Sequence, residues 1–485
     1  MTIRVFLQKA ILAVGIGLLI IGLCVGIIGN LEHKSYLAAF AVSVLFAALS
    51  LMLVKRQPGC LAFFEKLEPI TECVILSLLC FLINGIWVLF FHPIQAADYK
   101  TFFQAAVDLA NHTQLSGKDY LAMFPHILGY AFFLSLFFGL LGNSVLLAAI
   151  INVMLTTASG VLLYCLSLRY TRKKAAASFV FLLWTVCPSK FLFNTMVLSE
   201  PYYTFLLLFF LMMTSVALDG ESSNRLKQKS DGITLEAFFL GILCGFLIAV
   251  LNTARPIGII PVIAVFIWCL FLTKQGQRLA RWVFFLTLLF GYVVTGRAWT
   301  SYAAEQLGQK PPSVPGYSIY VGFNLETQGS YSDDDMDLLQ SRYFGEYDKN
   351  AKQTQQSMYE SAKERIAGGK QSLPSLMIQK LGTLLGHDEA GAFYSKESLS
   401  PKAYVLFCIL SNTWYYFVCL FAIIGSCMLW KYDQSDRSNW LVPLCIVGVI
   451  LAQLLVEVAA RYHYCIIPML LLLASFFKVQ APQQE

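Results

Sequence analysis

The chain has 485 residues, of which 57% are hydrophobic and 13% charged, and its formal net charge is +6. Soluble domains carry about 25% charged residues, so this composition excludes an ordinary globular fold in water and implies an integral membrane protein. The positive balance needs no nucleic acid to account for it, because the basic residues gather at the ends of apolar runs, and the 13 cysteines show no metal-ligand spacing and leave 300–402 without a disulfide framework.

Apolar runs long enough to cross a hydrocarbon core of roughly 30 Å recur from end to end, without the alternation of barrel strands. The predicted fold is an all-α polytopic membrane protein with about 12 transmembrane helices, outer-face amphipathic helices and one large extracytoplasmic loop. The opening stretch MTIRVFLQKAILAVGIGLLIIGLCVG has a basic start, but its apolar part is too long for a signal peptide and no small-x-small cleavage site follows. It is expected to remain as the first span. Spans are predicted at 8–29, 36–54, 70–91, 145–167, 176–195, 200–218, 236–252, 257–273, 281–299, 403–430, 439–456 and 463–478. With the N-terminus cytoplasmic, the RYTRKK run at 169–174 and Arg225, Lys227, Lys229, Lys274 and Lys431 fall inside, as the positive-inside rule requires.

One apolar segment, HILGYAFFLSLFFGLLG at 126–142, is excluded from the crossings, since counting it would carry RYTRKK to the outer side and invert everything after it. It is expected to lie at the outer membrane face. The chain then divides into a transmembrane module at 1–299 with its first large outer loop at 92–144, an extracytoplasmic loop or small capping subdomain at 300–402, and C-terminal transmembrane helices at 403–485.

In the first outer loop, DYKTFFQAAVDLA reads as an amphipathic helix. At about 100° per residue, Tyr99, Phe102, Phe103 and Ala106 share one half, while Asp98, Gln104 and Asp108 share the other. The polar half is expected to face an aqueous cavity. Other outer positions carry matching chemistry: Lys190 in CPSKFLFN, Glu200 in LSEPYY, Arg255 in NTARPIG, and Glu457, Arg461 and His463 in VEVAARYHYC. Plain structural roles exist for each, since Glu200 beside Pro201 suits a helix start, and Glu457 with Arg461 has helical i,i+4 spacing. Together they place acids and bases at one depth on one side of the membrane, where ionisable residues are costly.

Such a set suits group transfer from a lipid-phosphate carrier. A departing lipid phosphate is a stable anion that needs positive charge rather than a proton, a role that fits Arg255 and Arg461, with Lys190 and His463 as further phosphate-binding candidates. The attacking hydroxyl must lose its proton to a carboxylate, for which Asp98 is the first candidate and Glu200 the second. No Walker sequence, dinucleotide fingerprint or Cys/His metal cluster is present, so no nucleotide donor is implied.

The order DYKTFFQAAVDLA, FPHILGYAFFLSLFFGLLGNS, VLSEPYYTFLLLFFLMM, ARPIGIIP, YVGFNLETQGSYSDDD and EVAARYHYCIIP resembles bacterial membrane glycosyltransferases of the GT-C superfamily, related to protein O-mannosyltransferases and to the aminoarabinose transferase of lipid A. The resemblance covers roughly residues 70–480 and rests on order and topology. It implies an inverting enzyme of the bacterial plasma membrane, with its active site on the extracytoplasmic face. The implied donor is a polyprenyl-phosphate-linked sugar and the acceptor a glycan, lipid or protein of the envelope. By match, Asp98 is the catalytic aspartate of the first outer loop and Glu200 the acidic residue at the outer start of a later span. Asp108, Tyr99, His126, Glu457 and Asn324 are the expected cavity residues. No cofactor is required. The aspartates of GSYSDDDMD offer oxygen ligands to a divalent cation, although a solvated turn uses the same residues.

The chief rival is a secondary transporter or lipid-linked-substrate flippase. Against it, the two halves of the chain are dissimilar and the ionisable residues gather at the outer ends of spans rather than at mid-depth. A non-catalytic membrane subunit presenting substrate to a partner is a third reading of the same pattern.

Overall fold

The computed structural model describes residues 3–30, 34–56, 66–219, 230–272, 278–432 and 437–478, and among these no strand occurs. Arg225, Lys227, Lys229 and Lys274, used above for the charge rule, lie outside the described residues. Seven helices are long and apolar enough to cross a membrane, and up to eight if a pair of helices bent by 56° forms one broken span. The protein is a multi-pass, all-α membrane protein.

In chain order, α1 (Ile3–Gly29), α2 (Lys34–Arg56) and α3 (Pro69–Phe90) precede the loop predicted at 92–144. That loop folds as α4 (Ala97–Ala110), α5 (Lys118–Met123) and α6 (Ile127–Leu141). Then come α7 (Val145–Thr171), the bent pair α8 (Lys174–Thr185) and α9 (Pro188–Asn194), and α10 (Glu200–Leu218). The chain continues through α11 (Ser230–Ala254), α12 (Ile259–Phe271) and α13 (Arg278–Leu307). Helix α13 passes the predicted boundary at 299, so the segment predicted at 300–402 begins later than expected.

The segment after α13 consists of short helices joined by loops and docks on the bundle. It contains α14 (Gly316–Gly322), α15 (Asp333–Ser341), α16 (Ala351–Gly368), α17 (Leu373–Leu385) and α18 (Ala390–Tyr394). Three more helices, α19 (Pro401–Tyr432), α20 (Leu441–Leu454) and α21 (Ile466–Ala474), close the chain. α17 lies along α1 because both present glycine at the crossing. A Cβ on Gly26 would sit 2.3 Å from the Gly386 Cα just beyond α17, and small residues are what let helix backbones approach this closely in lipid.

The two ends of the bundle are fastened differently. At one end, Asp219 accepts from the Ser438 backbone N–H at 2.8 and 3.1 Å, Arg169 donates to the Ser215 carbonyl at 2.9 Å, and the Trp268 indole donates to the Arg437 carbonyl at 3.2 Å. Nearby, fully buried Glu72 accepts from Ser178 and from the Tyr164 hydroxyl and pairs with Lys174 at 3.7 Å. The acids and arginines of the candidate site meet at the other end.

Candidate functional site

Four elements distant in sequence converge there: the start of α4, the start of α10, the turn between α11 and α12, and a 3-10 turn at Ala460–His463. Pro201 fits the first turn of α10, where no backbone N–H is needed, and this fixes Glu200 at the helix mouth. Asp98 stands in the first turn of α4 directly after Ala97, whose φ of +46° is left-handed. An alanine in that region is strained by roughly 1–2 kcal/mol, and such strain collects at functional sites.

These positions form two ion pairs. Arg461 Nη2 donates to Asp98 Oδ2 at 2.6 Å, and Arg255 Nη2 donates to Glu200 Oε1 at 2.7 Å. Glu200 is fully buried, whereas the Asp98 side chain keeps 31% exposure. The Tyr462 ring joins the pairs, with the Arg255 guanidinium 5.0 Å and that of Arg461 5.6 Å from its centroid. Tyr203 lies against Arg255 at 5.6 Å and Tyr394 against Arg461 at 5.3 Å. Tyr99 packs edge-on to Tyr394, which carries the first turn of α4 into the group.

Burial and charge together set the protonation states. Burial by itself pushes the Asp98 carboxyl up, but Arg461, with Arg255 beyond it, outweighs this and holds it below the ordinary carboxylate value. Asp98 is therefore ionised at neutral pH. Burial pushes His126 down to about 3, with the positive charge of Arg255 acting in the same direction, so its imidazole is neutral. Burial raises Glu457, against the pull of Arg461.

Seven of the eleven residues named from the sequence thus gather in one place: Asp98, Glu200, Arg255 and Arg461 in direct pairs, with Tyr99, His126 and Glu457 in their field. Four do not. Asp108 accepts from Gln104 at 2.9 Å and from the Ser116 backbone N–H at 2.6 Å, and so closes the loop after α4. It cannot join Asp98, because ten helical residues separate them by about 15 Å along the axis. The expectation that the polar half of α4 faces a cavity as a unit is corrected accordingly. Lys190 is fully buried and donates to the Trp184 and Thr185 carbonyls, which the bend between α8 and α9 releases from helical bonding. His463 bonds the Leu384 carbonyl at 2.8 Å and Asp388 Oδ1 at 3.2 Å. It stands two residues after Arg461 in a turn of three residues per revolution, and therefore points elsewhere. Asn324 donates to Asp335 Oδ2 at 2.9 Å, inside a clasp between α14 and α15.

Sequence reading missed Tyr462, Tyr394 and Lys380. Tyr462 could have been suspected from its place between Arg461 and His463 in ARYHY. Lys380 had no local signal. Its buried ammonium donates to the carbonyls of Gly322 and Leu454, both at 2.8 Å, and of Val456 at 2.6 Å. That ties the segment between α13 and α19 to the extended stretch leading to Glu457 and Arg461. Among the described residues no three His, Cys, Asp or Glu are grouped as metal ligands, and Asp335 of the Asp run is engaged by Arg365. Comparison with protein families, with curated proteins and with solved structures returned no match to any of them.

Proposed function

We propose that this protein is an integral-membrane glycosyltransferase of GT-C type, which moves a sugar from a polyprenyl-phosphate donor to a hydroxyl of an envelope acceptor on the extracytoplasmic face of a bacterial plasma membrane. The observation that carries the reading is the pairing of Asp98 with Arg461 and Glu200 with Arg255 around Tyr462. One arrangement supplies both needs of the reaction, carboxylates for a proton and guanidinium groups for a phosphate.

In the proposed step the acceptor oxygen attacks the anomeric carbon of the donor, and the bond from that carbon to the lipid-phosphate oxygen breaks. The hydroxyl proton passes to Asp98, and the leaving phosphate keeps the bonding electrons as an anion beside Arg461 and Arg255. Before the donor arrives, Glu200 pairs with Arg255. Neutral His126 adds no positive charge to the group.

The accompanying topology has twelve crossings. These are the seven long helices, the bent pair and the shorter helices Ser35–Ser50, Ile259–Phe271, Ser438–Leu454 and Ile466–Phe477, with Ile127–Leu141 kept at the outer face. What supports this is that residues assigned to one side meet each other. Asp98 reaches Arg461, and Glu200 reaches Arg255, at one end; Asp219 reaches Ser438, and Arg169 reaches the chain at Ser215, at the other.

The test is transfer itself. Purified protein in lipid nanodiscs is incubated with a panel of radiolabelled polyprenyl-phosphate sugars and an extract of the native envelope. Label is expected to leave one donor in the wild type and to stay on it with Asp98→Asn. Failure to consume any donor, or consumption unaffected by Asp98→Asn, overturns the assignment.

A further inference from the structure

The pairs around Tyr462 pose a difficulty for the reaction. A carboxylate that bonds an arginine is a poor proton acceptor, and a guanidinium that bonds a carboxylate is not free for phosphate. The geometry points to an exchange: Asp98 and Glu200 are built-in competitors that occupy Arg461 and Arg255 until the phosphate of a ligand displaces them, and the loss of Arg461 to that phosphate is what releases Asp98 as a base. This rests on the donor reading above and adds the order of events at the same site.

Three features carry it. First, both pairs are incomplete, each made through one nitrogen and one oxygen. The buried Nε of Arg255, Nε of Arg461 and Oε2 of Glu200 have no hydrogen-bond partner among the described residues. Guanidinium groups bind phosphate and carboxylate most strongly through two parallel N–H bonds, and neither pair uses that mode. Second, both cations lie against the Tyr462 ring, so two like charges are held near one another with only carboxylates to offset them. Expelling a carboxylate without replacement would leave a buried cation unpaired, which is costly, whereas replacing it by phosphate keeps every cation paired. Third, the two acids differ in freedom. Glu200 is sealed at the mouth of α10, while Asp98 keeps 31% side-chain exposure. Asp98 can therefore turn toward solvent when Arg461 leaves it, and so is the acid that becomes available.

The exchange predicts an effect opposite in sign to that of an ordinary contact residue: removing the acid should strengthen phosphate binding. The measurement is the Kd of a short-chain polyprenyl phosphate for the full-length protein in detergent, for wild type, Asp98→Asn and Glu200→Gln, with inorganic phosphate as a second ligand and thermal unfolding as the check on folding. Asp98→Asn is expected to bind both ligands about tenfold more tightly, within the range of close charge pairs. Glu200→Gln supplies an independent second variant and is expected to shift binding in the same direction. Kd values that are unchanged or weaker in both folded variants overturn the exchange while leaving the donor reading intact. Tightening confined to the lipid ligand also overturns it, because charge competition must act on phosphate itself. Absence of binding by all three proteins overturns the donor reading and the exchange together.

Discussion

Two arginine–carboxylate pairs at the same end of the molecule are built on opposite plans. In the segment between α13 and α19, Arg365 grips Asp335 through two parallel bonds, at 2.9 and 3.1 Å, and also donates to the Tyr320 carbonyl at 2.8 Å. Its guanidinium lies 3.4 Å from the centre of the Tyr320 ring, and Asn324 donates to the same carboxylate. Arg461 holds Asp98 through a single bond, and its Nε is left over. A charged pair whose hydrogen bonds are all made resists rearrangement, while one with bonds left unmade can change partners at small cost. The first kind holds a fold together, and the second suits a site that must receive a ligand.

That contrast is breakable. The largest expected effect is on the open pair: Asp98→Asn should lower sugar transfer by about 10²–10⁴-fold, the usual contribution of a general base, in a protein that still folds. A loss of transfer matched by a loss of folding would put Asp98 in the same class as Asp335. The closed pair should behave the other way. Arg365→Ala strands the nearly buried Asp335 and is expected to cost about 3–5 kcal/mol in chemical unfolding, as for other broken buried pairs.

Lys380→Met sharpens the comparison, since it leaves the carbonyls of Gly322, Leu454 and Val456 without their donor. A cost of about 2 kcal/mol is expected, together with faster proteolysis between α20 and α21. Acid provides a further probe. His126 has a folded pKa of about 3 against 6.5 in its ordinary state, so between those values the unfolded chain binds more protons. Its contribution to stability is complete above pH 6.5 and is lost progressively as pH falls toward 3. Asp98, held below its ordinary value, adds a loss of the same sign at the acid end. His126→Gln should flatten the slope of unfolding temperature between pH 6 and 4; an unchanged slope assigns the acid sensitivity to other groups. The smallest effect is expected from Ala97→Gly, which removes the penalty at φ +46° and should raise stability in chemical unfolding by about 1 kcal/mol.

Much of the helical pattern was legible in the sequence, because a run of apolar residues in lipid has one way to satisfy its backbone. The predicted spans fall on helices or closely joined helix pieces among the described residues, and seven, or up to eight, of these are long and apolar enough to cross a membrane. Asp98, Glu200, Arg255 and Arg461 were legible as candidates for a related reason: charge at a span end is expensive enough to stand out in an apolar chain. Lys190, Asp108, His463 and Asn324 carried the same signal, and the structure spends each on local hydrogen bonds.

The sequence by itself determined that the chain enters a membrane as helices, and which few ionisable residues stand near one of its faces, since both follow from the cost of water-seeking groups in hydrocarbon. Only the tertiary structure decided which acid meets which arginine, that Tyr462 lies between the two pairs, and that Lys380 fastens the segment between α13 and α19 beside them. Those choices depend on contacts between residues as far apart as Asp98 and Arg461, separated by 363 positions. They depend also on where each side chain points as its helix or turn ends, and neither spacing nor composition encodes that direction.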